Sequence, residues 1–342
     1  MGGMERASAN TTNGLDSTGK FEVVFISIFR KEHFFKLNDG VKLIEPVEFN
    51  INSLSIHKSV SWIRTIVKKE KPDRILVFNK FYAALAALSI VDVSIPFYVS
   101  ERSSPLFIWK QPFRMINRIA FNLRPPKGVI AQTSIAASYQ KKYFPKSIIK
   151  VIPNIVRRVT LYPEIERTNV ILAVGRLGDH LKGFDLLLES FALIQDQNWR
   201  LHIAGGDENG KDLKDLASKL GILDRVKFLG KIKDIDKVFA SAGIYVIPSR
   251  SEGFPNALAE AMAAGCCCIA FDFVAGPRDM IEDGVSGIIV ENGNIGAMAN
   301  AIDELISKPE SRKKLGQAAT AINDRLNSEI ITDEIIEFLE LK

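Results

Sequence analysis

The sequence predicts two α/β domains, each built around a parallel β-sheet. Strand-like apolar runs alternate with helical stretches along most of the chain, which is the pattern of βαβ units. The chain also has 342 residues, more than a single hydrophobic core usually covers. We place the linker in the polar stretch 157–169, so that residues 1–157 form the first domain and residues 158–342 the second.

The strands are predicted from short apolar runs that end at glycine, proline or polar residues. In the first domain they lie at 21–27, 74–78, 95–99, 127–132 and 148–152. In the second domain they lie at 169–174, 200–204, 226–229, 244–248, 266–270 and 287–290. Because helical stretches separate the strands, both sheets are expected to be parallel.

Charge distinguishes the two domains. Residues 1–157 contain 24 Lys and Arg and 11 Asp and Glu, a net charge of +13, whereas the rest of the chain has a net charge of −8. This asymmetry predicts that the first domain alone meets an anionic partner. We expect no nucleic acid partner, because no recognition motif or zinc-ligand spacing accompanies the charge.

Composition argues against a membrane span and against a disulfide framework. The apolar run at 82–90 is too short to cross a bilayer, and the N-terminus lacks the basic-then-apolar pattern of a signal peptide. The three cysteines, Cys266 to Cys268, are consecutive on a predicted strand, where neighbouring side chains point to opposite faces. We interpret them as small buried residues and expect a cytoplasmic protein.

The stretch 249–262 carries the strongest signal of a binding site. A strand-like run leads into the turn Gly253-Phe254-Pro255, and proline suits the first position of the helix that follows. The N–H groups and the dipole at such a helix end attract an anion, most often a phosphate. Glu252 and Glu260 can accept hydrogen bonds from hydroxyl groups. The combination predicts a ligand in which a sugar is joined to phosphate.

A second strand-to-helix turn lies after the apolar run 171–174. Arg176 and Lys182 bracket this turn. An arginine fork and a lysine point charge at this place can neutralise a diphosphate, whose charge develops as it leaves in a transfer reaction.

The order of these motifs resembles the nucleotide-sugar half of family 4 glycosyltransferases. The resemblance covers 169–295 and rests on G-R-L…K-G, L-H-I-A-G-G, V-K-F-L-G, S-x-x-E-G-F-P-N-A-L-x-E-A-M-A-x-G and D-G-x-S-G. It implies the GT-B architecture, in which two Rossmann-like domains face each other across a cleft and the final helix crosses back to the first domain. It also implies a retaining reaction that needs no metal and no cofactor.

The same resemblance implies a role for each matching residue. Arg176 and Lys182 would bind the donor diphosphate, Glu260 the ribose and Glu252 the transferred sugar. The remaining donor contacts would come from the glycine turn, the main chain at the base and the start of the helix, namely Gly175, Lys231, Ile232, Gly253, Phe254, Pro255, Asn256 and Ala257. The donor is therefore a nucleotide sugar, and we expect a UDP-sugar.

The first domain resembles the family more loosely. Its opening residues, including Gly2 and Gly3, are similar to a glycine-rich G-G-x-E-R loop that follows the first strand in the family. Here nothing precedes the loop, so we expect this domain to lack its first strand and to lose stability and activity. A flexible terminus at Gly2 and Gly3 is the alternative; otherwise both are candidate acceptor contacts.

Ser100-Glu101-Arg102 stands where many relatives place a histidine near the reacting sugar. Arg102 is therefore a candidate for contact with the donor phosphate or the acceptor, and Glu101 for orienting it. Because arginine stays protonated, Arg102 cannot act as a general base at pH 7. A surface pair between Arg102 and Glu101 is the alternative.

The segment 109–127 interleaves Lys110, Arg114 and Arg118 with large apolar residues. A helix there would suit an anionic membrane surface or the pyrophosphate of a lipid-linked acceptor. A core helix with a solvated basic edge is the alternative. Asp234 and Asp236 form a D-x-D pattern, but we interpret Asp234 as a helix cap and expect no metal site.

The sequence thus predicts a retaining glycosyltransferase of surface polysaccharide biosynthesis. It would move a sugar from a nucleotide-diphosphate donor to a glycan or polyprenyl-diphosphate-linked acceptor, in the cytoplasm at the inner face of the plasma membrane. Two alternatives remain open: a GT-B nucleotide-sugar epimerase, and a nucleotide-sugar-binding protein that has lost catalysis.

Overall fold

The computed structural model describes residues 3–28, 35–46, 56–206 and 210–340. The chain divides into two compact units: unit 1 comprises 1–155 and 328–342, and unit 2 comprises 156–327. Every strand pairing within these described ranges is parallel, which confirms the predicted α/β class. The division falls between Ile155 and Val156, two residues before the predicted boundary.

Unit 1 begins with helix α1, Gly3–Ser17. The predicted glycine-rich loop is wrong for Gly3, which is already helical, and Gly2 lies outside the described residues. Glu5 in the first turn favours the helix, because a carboxylate there faces the positive end of the helix dipole.

The other elements in the first part of unit 1 alternate between strands and helices. In chain order they are β1 Val24–Ile26, β2 Lys42–Ile44, α2 Ile56–Glu70, β3 Ile75–Phe78, α3 Lys80–Ser89, β4 Phe97–Ser100, α4 Phe113–Leu123, β5 Gly128–Ala131, α5 Ser134–Tyr143 and β6 Ile148–Val151.

The described strands of unit 1 form a four-stranded sheet, in the order β3-β4-β5-β6, and a separate pair, β1-β2. The sequence did not predict β2, a three-residue strand with two exposed residues and no apolar alternation. Ser100 is in register with Ile130, and Ala131 with Val151, so β4, β5 and β6 end along one edge. That edge carries the polar residues that follow each strand.

The last helix, which is α14 when the elements of unit 2 are counted, spans Ser328–Glu340 and packs within unit 1. Its Ile331, Ile335 and Phe338 are buried with Tyr98 and Ile130 of the sheet. The Tyr98 hydroxyl donates a hydrogen bond to the carbonyl oxygen of Leu339 at 3.0 Å. Apolar burial therefore joins the last helix of the chain to the core of unit 1.

Unit 2 repeats the alternation. Its elements are β7 Thr168–Val174, α6 Phe184–Ala192, β8 Arg200–Ala204, α7 Lys211–Lys219, β9 Val226–Gly230, α8 Ile235–Ser241, β10 Ala242–Ile247, α9 Asn256–Ala263, β11 Cys268–Phe271, α10 Pro277–Met280, β12 Ile288–Val290, α11 Ile295–Ser307, α12 Pro309–Ala319 and α13 Ile322–Arg325, with short 3₁₀ turns at His180–Lys182 and Leu223–Arg225.

The six described strands of unit 2 lie in the order β12-β11-β10-β7-β8-β9. Strand β10 is buried along its whole length, as expected for a central parallel strand covered by helices on both faces. The strand predicted at 266–270 begins only at Cys268, because the N–H of Cys266 bonds to the carbonyl oxygen of Ala261 and helps to close α9.

The three cysteines lie in this core. Cys266, Cys267 and Cys268 are all buried and none forms a disulfide, which agrees with the predicted role as small core residues. Burial raises the pKa of the Cys267 thiol to about 12. The thiols therefore stay protonated at neutral pH.

Candidate functional site

Four neighbouring strands of unit 2 end along one edge of its sheet, in the order β10, β7, β8 and β9. The loops that follow them carry Glu252, Lys182, Gly205 and Lys231, respectively. In open α/β sheets, ligands bind in the crevice outside the carboxyl ends of the strands. The predicted donor residues thus converge on the edge where such a sheet binds ligands.

Two glycines let these loops approach one another. Gly183 has a φ of 65°, and a Cβ atom there would lie 1.9 Å from the carbonyl oxygen of Pro248. Gly205 has a φ of 154°, and its Cβ atom would lie 1.7 Å from the carbonyl oxygen of Gly175. Neither gap admits a side chain, so these glycines set the spacing between the loops.

Lys182 and Glu252 meet at this edge. Nζ of Lys182 lies 2.7 Å from Oε1 of Glu252, and the Ser249 hydroxyl donates to the same oxygen at 2.7 Å. The Lys182 side chain is 22% exposed and that of Glu252 is 11% exposed. A lysine ammonium has three N–H donors, so binding one carboxylate oxygen leaves it able to contact an anion as well.

Gly175 makes room for the stem of Lys182. A Cβ atom at Gly175 would lie 3.2 Å from Cδ of Lys182 and 3.0 Å from the ring of Phe184. The Gly175 N–H donates to the carbonyl oxygen of Ala204 at 2.9 Å, which holds the turn against β8.

Arg176 lies in the same loop as Lys182 and is paired with a carboxylate of that loop. Its side chain is 62% exposed, and Nη2 lies 2.7 Å from a carboxylate oxygen of Asp179. This nearby carboxylate, three residues along the chain, is the partner that the structure gives to Arg176. The structure therefore pairs Lys182 with Glu252, and Arg176 with Asp179.

Helix α9 begins beside Glu252 without a side-chain cap. Of the predicted amide donors, Pro255 has no N–H, and the Asn256 N–H donates to the Phe254 carbonyl oxygen at 2.9 Å. Gly253, Phe254 and Ala257 supply the other N–H groups of this turn. The positive end of the helix dipole lies here, which favours an anion.

Glu260 lies further along α9 and is only 6% exposed. Its Oε2 is 3.4 Å from Nη2 of Arg157, and the guanidinium of Arg157 also bonds to both carboxylate oxygens of Asp236. Arg157 thereby links α9 to α8. Its positive charge lies beside the carboxylate of Glu260, which was predicted to bind ribose.

Lys231 and Ile232 follow β9. A Cβ atom at Gly206 would lie 2.3 Å from Cγ of Lys231, so the lysine stem crosses the bare backbone of Gly206. Lys231 is exposed and Ile232 is half-buried. The N–H of Gly205 donates to the carbonyl oxygen of Gly230 at 2.9 Å and holds these two loops together.

Several residues of this edge were not singled out by the sequence analysis. Arg250 forms two hydrogen bonds with the carboxylate of Asp185, at 2.7 and 2.6 Å, and a third with the carbonyl oxygen of His180 at 3.0 Å. This pair ties the loop of Glu252 to the turn of Lys182. Arg157 was missed because its partners Asp236 and Glu260 are distant in sequence. Ser249 belongs to the S-x-x-E motif, but the sequence analysis gave its hydroxyl no role.

At the strand ends of unit 1, Arg102 is paired with Asn154 rather than with Glu101. Nη1 of Arg102 donates to Oδ1 of Asn154. Glu101 is 2% exposed and accepts hydrogen bonds from the N–H groups of Lys80 and Ser103 at 3.0 and 2.8 Å. The alternative of an Arg102–Glu101 surface pair is therefore wrong.

Burial also shifts the pKa of Arg102. It lowers the pKa of the guanidinium to about 10, while the negative charge of Glu101 opposes the shift. Arg102 is still protonated at neutral pH, and its buried Nε has no hydrogen-bond partner among the residues that the structure describes. A half-buried cation with an unsatisfied donor is suited to an anionic or hydroxyl-bearing ligand.

The other predicted residues of unit 1 lie on its surface. Lys110, Arg114 and Arg118 are exposed in or beside α4, and Gly3 is exposed at the start of α1. Helix α4 ends at Leu123, because Arg124-Pro125-Pro126 cannot continue it.

The D-x-D pair has structural partners. Asp234 caps α8 by accepting from the N–H of Lys237, and Tyr162 donates to its carboxylate at 2.9 Å. Asp236 pairs with Arg157. In the described residues, no cluster of three or more His, Cys, Asp or Glu side chains is arranged to hold a metal ion.

A cavity of about 500 Å³ lies beyond these loops on unit 2. Its lining includes Asp272, Arg278 and Glu291, which follow β11 and β12, and it does not include Lys182 or Glu252. We place the site at Lys182 and Glu252, because charge and backbone amides converge there.

Across the described parts of both units, none of the helices combines the length and apolar composition needed to span a bilayer.

The sequence of this chain is similar to those of several glycosyltransferases. Residues 162–321 match the family model of "Glycosyl transferases group 1". An uncharacterised glycosyltransferase of Haemophilus influenzae is 29% identical over 97% of this chain and 95% of its own length. An α-1,4-N-acetyl-D-galactosaminyltransferase of Campylobacter jejuni, named for an undecaprenol-diphosphate-linked acceptor, is 24% identical over 92% of this chain and 88% of its own.

Solved structures share the fold. Anabaena HepE, in complex with UDP, has a TM-score of 0.82 at 19% identity, with 99% of this chain and 96% of that chain covered. The lipopolysaccharide outer core galactosyltransferase WaaB has a TM-score of 0.78 at 22% identity, with 100% and 97% covered. These likenesses agree with the predicted GT-B class.

Proposed function

We propose that this chain, whose residues 162–321 match the model of glycosyl transferases group 1, is a glycosyltransferase that moves a sugar from a nucleoside-diphosphate donor to a glycan or lipid-linked acceptor. The observation that carries the proposal is the meeting of Lys182 and Glu252, 2.7 Å apart, beside the uncapped start of α9. A cation, a carboxylate and a helix N-terminus match the diphosphate and the hydroxyls of such a donor.

In this proposal, Lys182 and the amides of Gly253, Phe254 and Ala257 stabilise the negative charge of the departing diphosphate. Such groups act where charge develops in the transition state, and losing one typically costs a few kcal/mol. Arg176 would join them by exchanging Asp179 for phosphate, because its exposed side chain is free to turn.

The carboxylates would recognise hydroxyl groups. We assign Glu252 to the transferred sugar and Glu260 to the ribose, with the main chain at Lys231 and Ile232 holding the base. The positions of Glu252 before α9 and of Glu260 within it support this division. Arg102 of unit 1 would contact the acceptor or the donor phosphate.

We propose UDP as the nucleotide, retention of the anomeric configuration, and no requirement for a metal ion. The similarity in fold to HepE, solved with UDP, with UDP and glucose, and with UDP-glucose, supports the choice of nucleotide. The D-x-D aspartates are engaged by Tyr162 and Arg157, which supports a reaction without metal.

For the acceptor, we propose a glycan or polyprenyl-diphosphate-linked oligosaccharide of surface polysaccharide biosynthesis. The names of the Campylobacter relative and of WaaB support this class. We place the reaction in the cytoplasm at the inner face of the plasma membrane. Named relatives are transferases, which favours transfer over epimerisation or a loss of catalysis.

Nucleotide binding tests the donor site first. Calorimetric titration with UDP, GDP and ADP should show saturable binding, and UDP should have the lowest dissociation constant. Lys182→Ala should weaken that binding and lower turnover about a hundredfold, because the phosphate loses a cation. Lys313→Ala, at an exposed lysine of α12, is the matched control and should behave as wild type.

Product analysis tests the reaction. With the best nucleotide sugar and an acceptor, NMR should show an anomeric configuration like that of the donor, and EDTA should leave the rate unchanged. Free epimerised nucleotide sugar would favour the epimerase instead. Full turnover by Lys182→Ala with every donor would contradict the assignment of the site.

A further inference from the structure

Unit 1 displays large apolar side chains to solvent in one short part of its surface. In α4, Met115, Ile119 and Leu123 are 55%, 48% and 59% exposed. In the loop before α4, Leu106, Phe107 and Ile108 are 48%, 51% and 72% exposed. We call these six side chains together the apolar surface of unit 1. Exposed apolar side chains that are grouped in this way mark interaction sites, whereas single exposed apolar residues scattered over a surface are ordinary.

The helical repeat explains how α4 can be a core helix and still carry this surface. Ala120 and Asn117 are buried, and Ile116 packs against the core of unit 1. Met115, Ile119 and Leu123 are spaced four residues apart and form a row on a different face. Burial in the core therefore accounts for one face of α4 only, and the predicted alternative of a core helix leaves this row unexplained.

Aromatic contacts hold the loop beside the helix. The ring centroids of Phe107 and Trp109 are 5.1 Å apart, and those of Trp109 and Phe113 are 6.1 Å apart. Phe113, the first residue of α4, also packs on Phe81 at 5.1 Å. The two groups of exposed side chains thus belong to one continuous part of unit 1.

Charge indicates what covers this surface. Lys110, Arg114 and Arg118 are exposed within the same segment, and Arg114 and Arg118 form a second row along α4, next to the apolar one. From Leu106 to Lys127 the sequence contains five Lys and Arg residues and no Asp or Glu. An apolar row flanked by cations matches the interface of an anionic bilayer, where apolar side chains enter the acyl boundary and cations meet the headgroups.

We propose that this surface docks unit 1 on an anionic lipid bilayer, with the Met115–Ile119–Leu123 row inserted and the Arg114–Arg118 row on the headgroups. The proposal concerns a different surface from the donor site and does not depend on which nucleotide or acceptor is used.

Vesicle co-sedimentation tests the docking. Wild-type protein should bind vesicles of phosphatidylcholine with 30% phosphatidylglycerol far more tightly than vesicles of phosphatidylcholine alone. The triple substitution Lys110→Gln, Arg114→Gln, Arg118→Gln should weaken binding to the anionic vesicles about a hundredfold, at roughly fivefold for each cation. The triple substitution Met115→Ser, Ile119→Ser, Leu123→Ser should weaken it at least tenfold.

Matched controls remove similar side chains from unit 2. Leu161→Ser, Leu193→Ser, Val285→Ser replaces three exposed apolar residues, and Lys313→Gln, Lys314→Gln replaces two exposed cations. Both control proteins should bind vesicles as wild type does. Thermal unfolding and nucleotide titration of every variant separate a lost surface from a lost fold.

Three outcomes would overturn the proposal. If wild-type protein binds neither kind of vesicle, it has no such docking surface. If the serine triple variant binds anionic vesicles as tightly as wild type does, the contact with the bilayer lies elsewhere. Sedimentation velocity that shows a dimer in wild-type protein and a monomer in the serine triple variant would assign the apolar surface to a second copy of the chain.

Discussion

Replacing Gly183 with alanine tests whether close packing of two backbone turns builds the proposed donor site. Gly183 follows Lys182 directly, and its Cα faces the carbonyl oxygen of Pro248 in the loop that leads to Glu252. The substitution adds one methyl group and changes no charge. It therefore perturbs the distance between the two loops without removing any predicted ligand contact.

The structure gives the size of the effect. The added Cβ atom would lie 1.9 Å from the Pro248 oxygen, whereas real Cβ atoms stay at least 3.0 Å away, so the loops must separate by about 1 Å. Overpacking of this kind costs about 1–3 kcal/mol. An alanine at a φ of 65° costs about 1–2 kcal/mol more. We expect the free energy of unfolding to fall by about 2–5 kcal/mol.

The same separation of the two loops should also lower the rate of the reaction. A misplacement of about 1 Å in an active site can cost about a hundredfold in rate, and the pair at risk is Lys182 with Glu252. Urea denaturation measures the change in stability, and nucleotide titration and turnover measure the site. Gly221→Ala is the matched control, because Gly221 has a φ of 70° and nothing within 4 Å of its Cβ position.

Gly221→Ala should therefore lose only about 1–2 kcal/mol of stability and no nucleotide affinity. If Gly183→Ala matches this control in unfolding, affinity and turnover, the contact with Pro248 does not set the geometry of the site, and the reasoning fails.

Further predictions concern the core and the ion pairs of unit 2. Burial opposes ionisation of Asp236, but Arg157 and the Thr160 N–H outweigh it and lower its pKa below the usual value. Its stabilising effect is thus present above about pH 4 and lost as pH falls through the lowered pKa. Asp236→Asn should cost about 1–3 kcal/mol in urea denaturation at pH 7, and the difference from wild type should shrink at pH 3; equal differences at both pH values would refute the pairing. Because burial keeps the three thiols protonated, iodoacetamide should label Cys266, Cys267 and Cys268 only after unfolding, as mass spectrometry can check. Labelling of the native protein at a rate typical of exposed thiols would show that the core opens.

The local sequence was enough to predict the positions of most strands and of the polar residues that follow them. Strand β8 lies at the predicted residues 200–204, and β7 begins one residue before its predicted start. Apolar runs with sharp polar or glycine ends give this accuracy, because burial on both faces of a parallel strand requires a continuous apolar run. Strand β2 was missed because two of its three residues are exposed.

Motif spacing likewise indicated the Lys182 and Glu252 loops and the start of α9. It could not indicate that Gly183 and Gly205 would meet a carbonyl oxygen of another loop. That information depends on strand order, which places β7 between β10 and β8 although β10 follows β8 and β9 in the chain.

The sequence by itself determined the alternation of strands and helices, the polar residues at each strand end and the anion-attracting start of α9, since all of these are set by neighbours in the chain. Only the tertiary structure decided which distant charges pair: Lys182 with Glu252, and Glu260 with Arg157. The physical reason is that an ion pair forms where two side chains meet in space, and for residues separated by 70 or 103 positions the packing of the sheet alone sets that meeting.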